Sequence, residues 1–457
     1  MNRIDTTKRV LIVTYVFPPM AAVGGQRIVN FCKFLPRYGW RPVVLTVKNG
    51  VNTSWDSTPL KSIPETIIYR SRTFEPILRR EIKQAKDREK YIPAPYGVTQ
   101  DKMQSAEISF LKRIKRFLRM LLTVPDHAIF WIPFGFLKGL KAIRREKISV
   151  IMSSSPPVST HILASLLSRW TGIPHLVDFR DLWTLNQNYD QRGYTPFFKK
   201  YDRFWEQFVF KKADRLMTAS PGFTSELNDY IPNPPGGEIV TITNGFDYGE
   251  VDLEREFEIQ DSGKFKILYT GSLYGQFNPI FFLESLALWL NSNPELKDSV
   301  RVEFIGNSDY DYSAWVEQLG LKEVVKFRGY IPRAELIPQL QQADYLLLLI
   351  GFRKEAASVM PAKMYEYLAS GTKILALAPL GPAVEWITKY SAGTCITEPD
   401  KEKMVKLLQE RYKQWQSGHS EKRKYRYIEE IDRAKLAGRL ANLLEETAQV
   451  RGKRISR

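Results

Sequence analysis

Two glycine loops and one helix start hold the residue types best suited to chemistry. Gly24 and Gly25 follow the apolar run 10–13 and precede a helical pattern through Ile28, Phe31, Cys32 and Leu35. Glycine there lets the main chain approach a ligand closely, and free amides at a helix start attract phosphate. A second loop, Tyr269-Thr270-Gly271-Ser272, leaves the first apolar run of the second half in the equivalent place. The third element runs from Met360 to Gly371: Pro361 suits a first helical turn, Lys363 and Glu366 lie one turn apart, Gly371 suits the end, and Ser358, Pro361 and Ala362 are expected among the ligand-binding residues of this helix start. Aimed at a diphosphate, that helix start supplies amides and the Lys363 charge, while Glu366 accepts from a ribose diol. An exposed Lys/Glu pair contributes only about 0.2–0.5 kcal/mol, so spacing alone does not separate a site from a surface. No GxGxxG fingerprint is present, which removes the case for a nicotinamide or flavin cofactor. The four histidines, His127, His161, His175 and His419, are scattered and no HxxxH or DxD pair occurs, so no metal is expected.

Such loops need a frame. Short apolar runs alternate with longer helical patterns, the signature of βαβ units whose parallel sheet is covered on both faces. The pattern predicts strands at 9–15, 42–47, 66–69, 149–152, 175–179, 215–218 and 239–242, then at 265–269, 301–305, 324–327, 345–350, 373–377 and 394–396. We expect an α/β protein of two Rossmann-like domains, 1–248 and 249–430, with their sheets facing a central cleft. The acidic stretch 246–263 reads as a linker, and 365–370 and 422–446 read as helices. Residues 431–457 read as a C-terminal helix and basic tail returning to the first domain. Lys8 and Arg9 before the apolar run 10–17 and Ala21, Ala22 superficially match a secretory leader; the run followed by prolines and glycines reads instead as a first strand.

Length and composition set the outer bounds. With 457 residues the chain supports two large domains. Its two cysteines, Cys32 and Cys395, exclude a disulfide scaffold and a CxxC site, and suit a reducing cytoplasm. A net charge of +17 points to an anionic partner. The best apolar stretch, 128–137, contains Pro133 and ends at Lys138, too short to span a bilayer. Residues 110–122 read as an amphipathic helix without an acid: Phe110, Leu111, Ile114, Phe117, Leu118, Leu121 and Leu122 keep helical spacing while Lys112, Arg113, Lys115, Arg116 and Arg119 are cationic. An aromatic run, Phe130, Trp131, Phe134 and Phe136, follows. Such a segment suits an anionic membrane surface, with Lys112, Arg113, Arg116, Phe117, Arg119 and Trp131 as its contacts; a solvated face on a domain helix is the alternative. No helix-turn-helix, zinc finger or aromatic RNP pattern supports nucleic-acid binding.

The segments FPPMAAVGGQR, SSSPPVSTH, HLVDFRDLW, ITNGFD, YTGSLYG, FRGYIP and PAKMYEYLASG, spread in order over nearly the whole chain, resemble the large family 4-like group of retaining glycosyltransferases with the GT-B fold. They are most similar to enzymes that build bacterial capsule, exopolysaccharide or lipopolysaccharide chains. The resemblance implies an acceptor-binding first domain with a membrane-proximal segment near 105–140, and a second domain that binds the nucleotide sugar. It implies a UDP- or GDP-sugar donor, no bound metal, a lipid-linked saccharide acceptor, and a peripheral place on the cytoplasmic face of the inner membrane. Residue by residue, Gly24 and Gly25 lie against the donor diphosphate or acceptor, Gly271 and Ser272 form the second phosphate loop, and Glu366 binds the ribose. Gly329, Tyr330 and Ile331 hold the base, and Arg180 and Asp181 contact the transferred sugar. The chain departs from the family in three ways. The first glutamate of the E-x7-E motif is Ser358, with Glu355 a substitute only if the loop is rearranged; the loop after Gly271 lacks the usual Arg and Lys; and the histidine usual near Arg180 is missing.

A nucleotide sugar carries a good leaving group, so the protein must chiefly stabilise charge on the diphosphate and place the acceptor hydroxyl. Without paired carboxylates, retention suggests front-face attack. The same donor site would serve a sugar-nucleotide epimerase, the principal alternative; a basic nucleic-acid-binding protein is the remaining one.

Overall fold

The computed structural model describes residues 8–20, 23–48, 50, 55–75, 110–258, 263–275, 277–308, 310–418 and 422–455. The chain forms two compact units, residues 1–243 with 433–457, and residues 244–432. Each contains one parallel sheet, and every expected strand is found within three residues of its expected ends.

The first unit holds β1 (Lys8–Val13), β2 (Trp40–Val47), β3 (Ile67–Ser71), β4 (Val150–Ser155), β5 (His175–Phe179), β6 (Arg215–Thr218) and β7 (Val240–Thr241), in the order β3-β2-β1-β4-β5-β6-β7. Residues 10–13 of β1 are wholly buried, as expected for an inner strand covered on both faces. The run that superficially matches a leader is therefore the middle of a sheet, paired with β2 and β4. The second unit holds β8 (Phe265–Thr270), β9 (Val300–Ile305), β10 (Val325–Arg328), β11 (Tyr345–Leu349), β12 (Lys373–Leu377) and β13 (Gly393–Ile396), in the order β10-β9-β8-β11-β12-β13. In both sheets the strand order reverses beside the first strand, between β1 and β4 and between β8 and β11. Loops leaving β1 and β8 thus stand where open α/β sheets bind ligands.

Three boundaries differ from expectation. Phe246 and Tyr248, at the start of the expected linker, are buried in the second unit's core: Phe246 stacks on Tyr425 at 6.0 Å and donates its amide to the Ile431 carbonyl. The unit therefore begins at Asn244 rather than 249. Residues 422–432 are not α-helical and hold only the single 3-10 turn Glu429–Ile431. Arg423 pairs with Phe257, and Tyr425, Ile428 and Ile431 enter the same core. The terminal helix is Arg433–Ile455, which lays Leu436, Leu440 and Leu444 on the first unit beside the helix Val23–Phe34. The expected return of the C-terminus to the first domain therefore holds from Arg433 onward.

Among the described residues no single helix is long and apolar enough to cross a membrane. The expected amphipathic segment is the helix Phe110–Thr123. Ile114, Phe117, Leu118, Leu121 and Leu122, at spacings of three and one, are all exposed, and Phe117 meets Phe197 and Phe198 of the helix Pro196–Lys212 at 5.9 and 5.2 Å. Arg119 is exposed, whereas the side chains of Lys112, Arg113 and Arg116 lie outside the described residues. Trp131 is not a surface contact. It is fully buried, donates to the Ser71 hydroxyl at 2.6 Å and meets Tyr15 edge-on. Helical spacing brings Trp131 inward while its neighbour Phe134 stays exposed.

Candidate functional site

In the second unit the site is assembled at the end of β8. Gly271 has φ +103, a conformation L side chains rarely adopt, and a Cβ there would meet the Lys363 ammonium at 2.9 Å. Behind it Gly306, leaving β9, has φ +141, and a Cβ would collide with the Gly271 carbonyl. Two glycines back to back thus let two strand ends turn close together, and Leu273 N bonds to Asn307 O at 2.9 Å to continue the contact.

The helix Ala362–Ser370, capped by Pro361 and ended by Gly371 at φ +78, presents one face to this loop. Lys363 Nζ lies 3.8 Å from the Tyr269 ring centroid and donates to its hydroxyl at 2.5 Å; that hydroxyl donates to the Ser272 carbonyl at 2.9 Å. One turn on, the Tyr367 hydroxyl accepts from Thr270 N at 2.8 Å. Burial lowers the Lys363 pKa to about 7, and Glu366 only partly opposes this. The ammonium is therefore short of counter-charge, the condition of a group that awaits an anion. Glu366 pairs with Arg333.

A cavity of about 200 Å³ opens beyond β8, β9 and β10, lined among others by Gly271, Gly306, Tyr310, Arg328 and Gly329. Phe304, Phe327 and Tyr312 stack along its wall, with ring centroids 5.0 and 5.9 Å apart. Gly329 lines it, Tyr330 is exposed, and Ile331 is half-buried. The structure thus brings Gly271, Ser272, Lys363, Glu366 and Gly329 together around one end of a sheet. Ser358 is half-buried, and Glu355 is exposed in a single helical turn, Lys354–Ala356.

The first unit is built differently. Gly24 and Gly25 lie in the first turn of the helix Val23–Phe34. Arg180 is buried and each of its nitrogens faces a main-chain carbonyl: Nη1 that of Gly24, Nε that of Ser155 at 2.6 Å, and Nη2 that of Pro156 at 2.9 Å. It ties the Gly24 turn to the Ser155–Pro156 turn, a structural part that the expected sugar contact does not include. Asp181, next to it, is exposed. Arg27 makes a buried bidentate pair with Asp178 on β5, both contacts at 3.0 Å, and donates to the carbonyls of Ile242 and Thr243. Ser154 supports the same carboxylate at 2.8 Å.

Sequence reasoning gave no individual role to Arg27, Asp178, Tyr269, Tyr367 and Arg333. Asp178 had a readable signal, a charge inside an apolar strand, which demands a buried partner. His161 and His175 both meet the Ser153 hydroxyl at 2.7 Å. Burial lowers both pKa values, that of His175 to about 3, so the pair is a neutral structural element. Among the described residues no group of three His, Cys, Asp or Glu is placed to hold a metal.

Residues 25–245 match the glycosyl transferase 4-like domain, and residues 251–430 match glycosyl transferases group 1. No curated protein matches the chain. Similar solved structures include sucrose-phosphate synthase from Thermosynechococcus elongatus (TM-score 0.58, 14% identity, 98% of each chain covered). HepE of Anabaena, solved in complex with UDP, has a TM-score of 0.56 at 12% identity over 98% of this chain and 99% of that one. WaaG, a glycosyltransferase involved in lipopolysaccharide biosynthesis, has a TM-score of 0.52 at 12% identity over 96% and 99%. At these identities the likenesses speak for the fold, and the two family matches, which between them run through both units, speak for the activity. The chain belongs to the family 4-like glycosyltransferases of the GT-B fold, enzymes that transfer a sugar from a donor.

Proposed function

We propose that this enzyme takes its sugar from a UDP- or GDP-sugar and transfers it, with retention, to a lipid-linked saccharide in bacterial surface polysaccharide synthesis. The observation that carries the donor assignment is the Lys363 ammonium, buried against the Gly271–Ser272 loop without a full counter-charge. A diphosphate placed there gains the lysine charge and the loop amides, both of which strengthen as the leaving group becomes more negative. The cavity past Gly329 suits a base, and Glu366 suits the ribose. HepE structures with UDP and with UDP-glucose favour UDP as the nucleotide.

Retention then proceeds by front-face attack, in which the departing phosphate oxygen takes the acceptor proton. A glycosyl adduct trapped on Asp181 or Glu366 and seen by mass spectrometry would contradict this. The exposed apolar stripe of the helix Phe110–Thr123, on a segment with five cations and no acid, supports a peripheral site on an anionic membrane at the cytoplasmic face, beside a lipid-linked acceptor. Flotation with anionic liposomes that falls with salt supports this placement, and flotation unaffected by Leu118→Asp with Leu122→Asp refutes it.

The donor assignment is tested by thermal shift. A nucleotide at 100 times its dissociation constant adds about 2.7 kcal/mol of stability. UDP and UDP-sugars should raise Tm in the wild type and lose that effect in Lys363→Met; a panel of nucleotides that leaves Tm unmoved refutes the assignment. Product analysis with the nucleotide sugar alone separates the epimerase alternative, which would yield an epimerised donor.

A further inference from the structure

Arg333 is absent from the motifs that mark the family, yet it holds the carboxylate assigned to the ribose. It opens the helix Arg333–Gln341, two residues beyond the base segment Gly329 to Ile331, so backbone and guanidinium are set by the same turn. Its Nη1 donates to Glu366 Oε1, and its Nε reaches Glu250 Oε2 at 3.4 Å. Burial opposes its charge, but Glu366 and Glu250 outweigh that and raise its pKa. Nη2 is buried without a partner, so the side chain is placed for the two carboxylates rather than for its own full set of hydrogen bonds. Glu366 is itself mostly buried, with 14% of its side chain exposed, and among the described residues its hydrogen bond is made through Oε1, which leaves Oε2 open to solvent.

We infer that Arg333 is a positioning residue which, by fixing Glu366 through one oxygen and leaving the other free, makes the donor site select ribose over 2′-deoxyribose. A carboxylate on a flexible stem would turn toward solvent and accept from water as readily as from a sugar hydroxyl. Held at Oε1 by a guanidinium that is itself anchored to Glu250, it presents Oε2 in one direction. A ribose diol then offers this carboxylate two donors and a 2′-deoxyribose only the 3′-hydroxyl, so one hydrogen bond to a charged oxygen is lost. Glu250 matters because it lies six residues into the second unit, on a different segment from either partner, so the arginine is anchored from two sides.

The inference rests on the nucleotide-sugar reading, and the test keeps the two separable. Binding of UDP and 2′-deoxy-UDP is measured by calorimetry, with KM and kcat for the corresponding sugar nucleotides. The wild type should prefer the ribonucleotide by about tenfold, the scale of one hydrogen bond to a charged group. Arg333→Gln should bring that ratio near one, through KM with little change in kcat, and Arg333→Lys should restore part of it. Glu366→Gln should also bring it near one, and adding Arg333→Gln to it should change nothing further. If Arg333→Gln keeps the wild-type ratio while Glu366→Gln loses it, the inference fails and the nucleotide reading stands. If both keep the ratio, Glu366 does not read the ribose; if the wild type binds neither nucleotide, the donor assignment itself fails. Should Arg333→Gln not fold, Glu250→Gln carries the test, since it loosens the arginine without touching Glu366, and an unchanged ratio there overturns the inference.

Discussion

The two units share a strand, a glycine turn and a covering helix, yet they treat positive charge in opposite ways. In the first, Arg27 and Arg180 are spent inside the fold, one on Asp178 and two carbonyls, the other on three carbonyls. In the second, Lys363 leans on a neutral phenol and stays short of negative charge. Arg180 is buried and Lys363 half-buried, and both touch a glycine turn, so a cation beside such a turn does not by itself mark a site. What distinguishes them is how many acceptors the fold supplies: three carbonyls to Arg180, one phenol oxygen to Lys363. The first loop is held rigid by satisfied charge; the second is poised by unsatisfied charge.

The contrast should appear first as a division between stability and turnover. Lys363→Met, which keeps the apolar stem, should lower kcat by about 10²–10³-fold, as removal of one preorganised charge-stabilising donor does elsewhere. Its Tm should hold or rise, because a desolvated charge has gone. A large fall in Tm with normal turnover in the folded fraction would make Lys363 structural. Arg27→Ala or Asp178→Ala should cost about 3–5 kcal/mol in denaturant unfolding, because either leaves a buried charge alone. A loss under 1 kcal/mol would show that the first unit does not depend on the pair.

Gly271→Ala is a smaller perturbation. The strained φ should cost about 1–3 kcal/mol and push the Lys363 ammonium aside, weakening UDP binding measured by calorimetry. Unaltered affinity would separate the loop from the nucleotide.

The smallest effect is one of pH. The Lys363 amine titrates near 7 in the free protein, against an ordinary value of 10.5. A bound diphosphate favours the ammonium, so its pKa rises on binding. Below pH 7 the charge is already present and affinity is flat; above it the site must take up a proton. Between pH 7 and 8 UDP binding should weaken by about fivefold, with proton uptake visible in buffers of different ionisation enthalpy. Lys363→Arg, always charged, should abolish that slope.

The amino-acid sequence by itself determined the alternation of strands and helices, since thirteen apolar runs are written locally, and the glycine turn after β8, whereas Gly24 and Gly25 after β1 enter the first turn of a helix. It determined the PAKMYEYLASG helix with its lysine and glutamate one turn apart. Only the tertiary structure decided which cations are consumed. Arg180 and Lys363 look alike as residues beside motif loops, and what separates them is the identity of atoms brought near from far along the chain: the carbonyls of Gly24, Ser155 and Pro156 in one case, the Tyr269 phenol in the other. The same holds for Trp131, whose helical turn brings it against Tyr15 and Ser71, and for Phe246, whose core partners lie nearly two hundred residues on. Periodicity reports the face a residue shares with its neighbours in sequence; desolvation and pairing depend on neighbours in space, which no local pattern encodes.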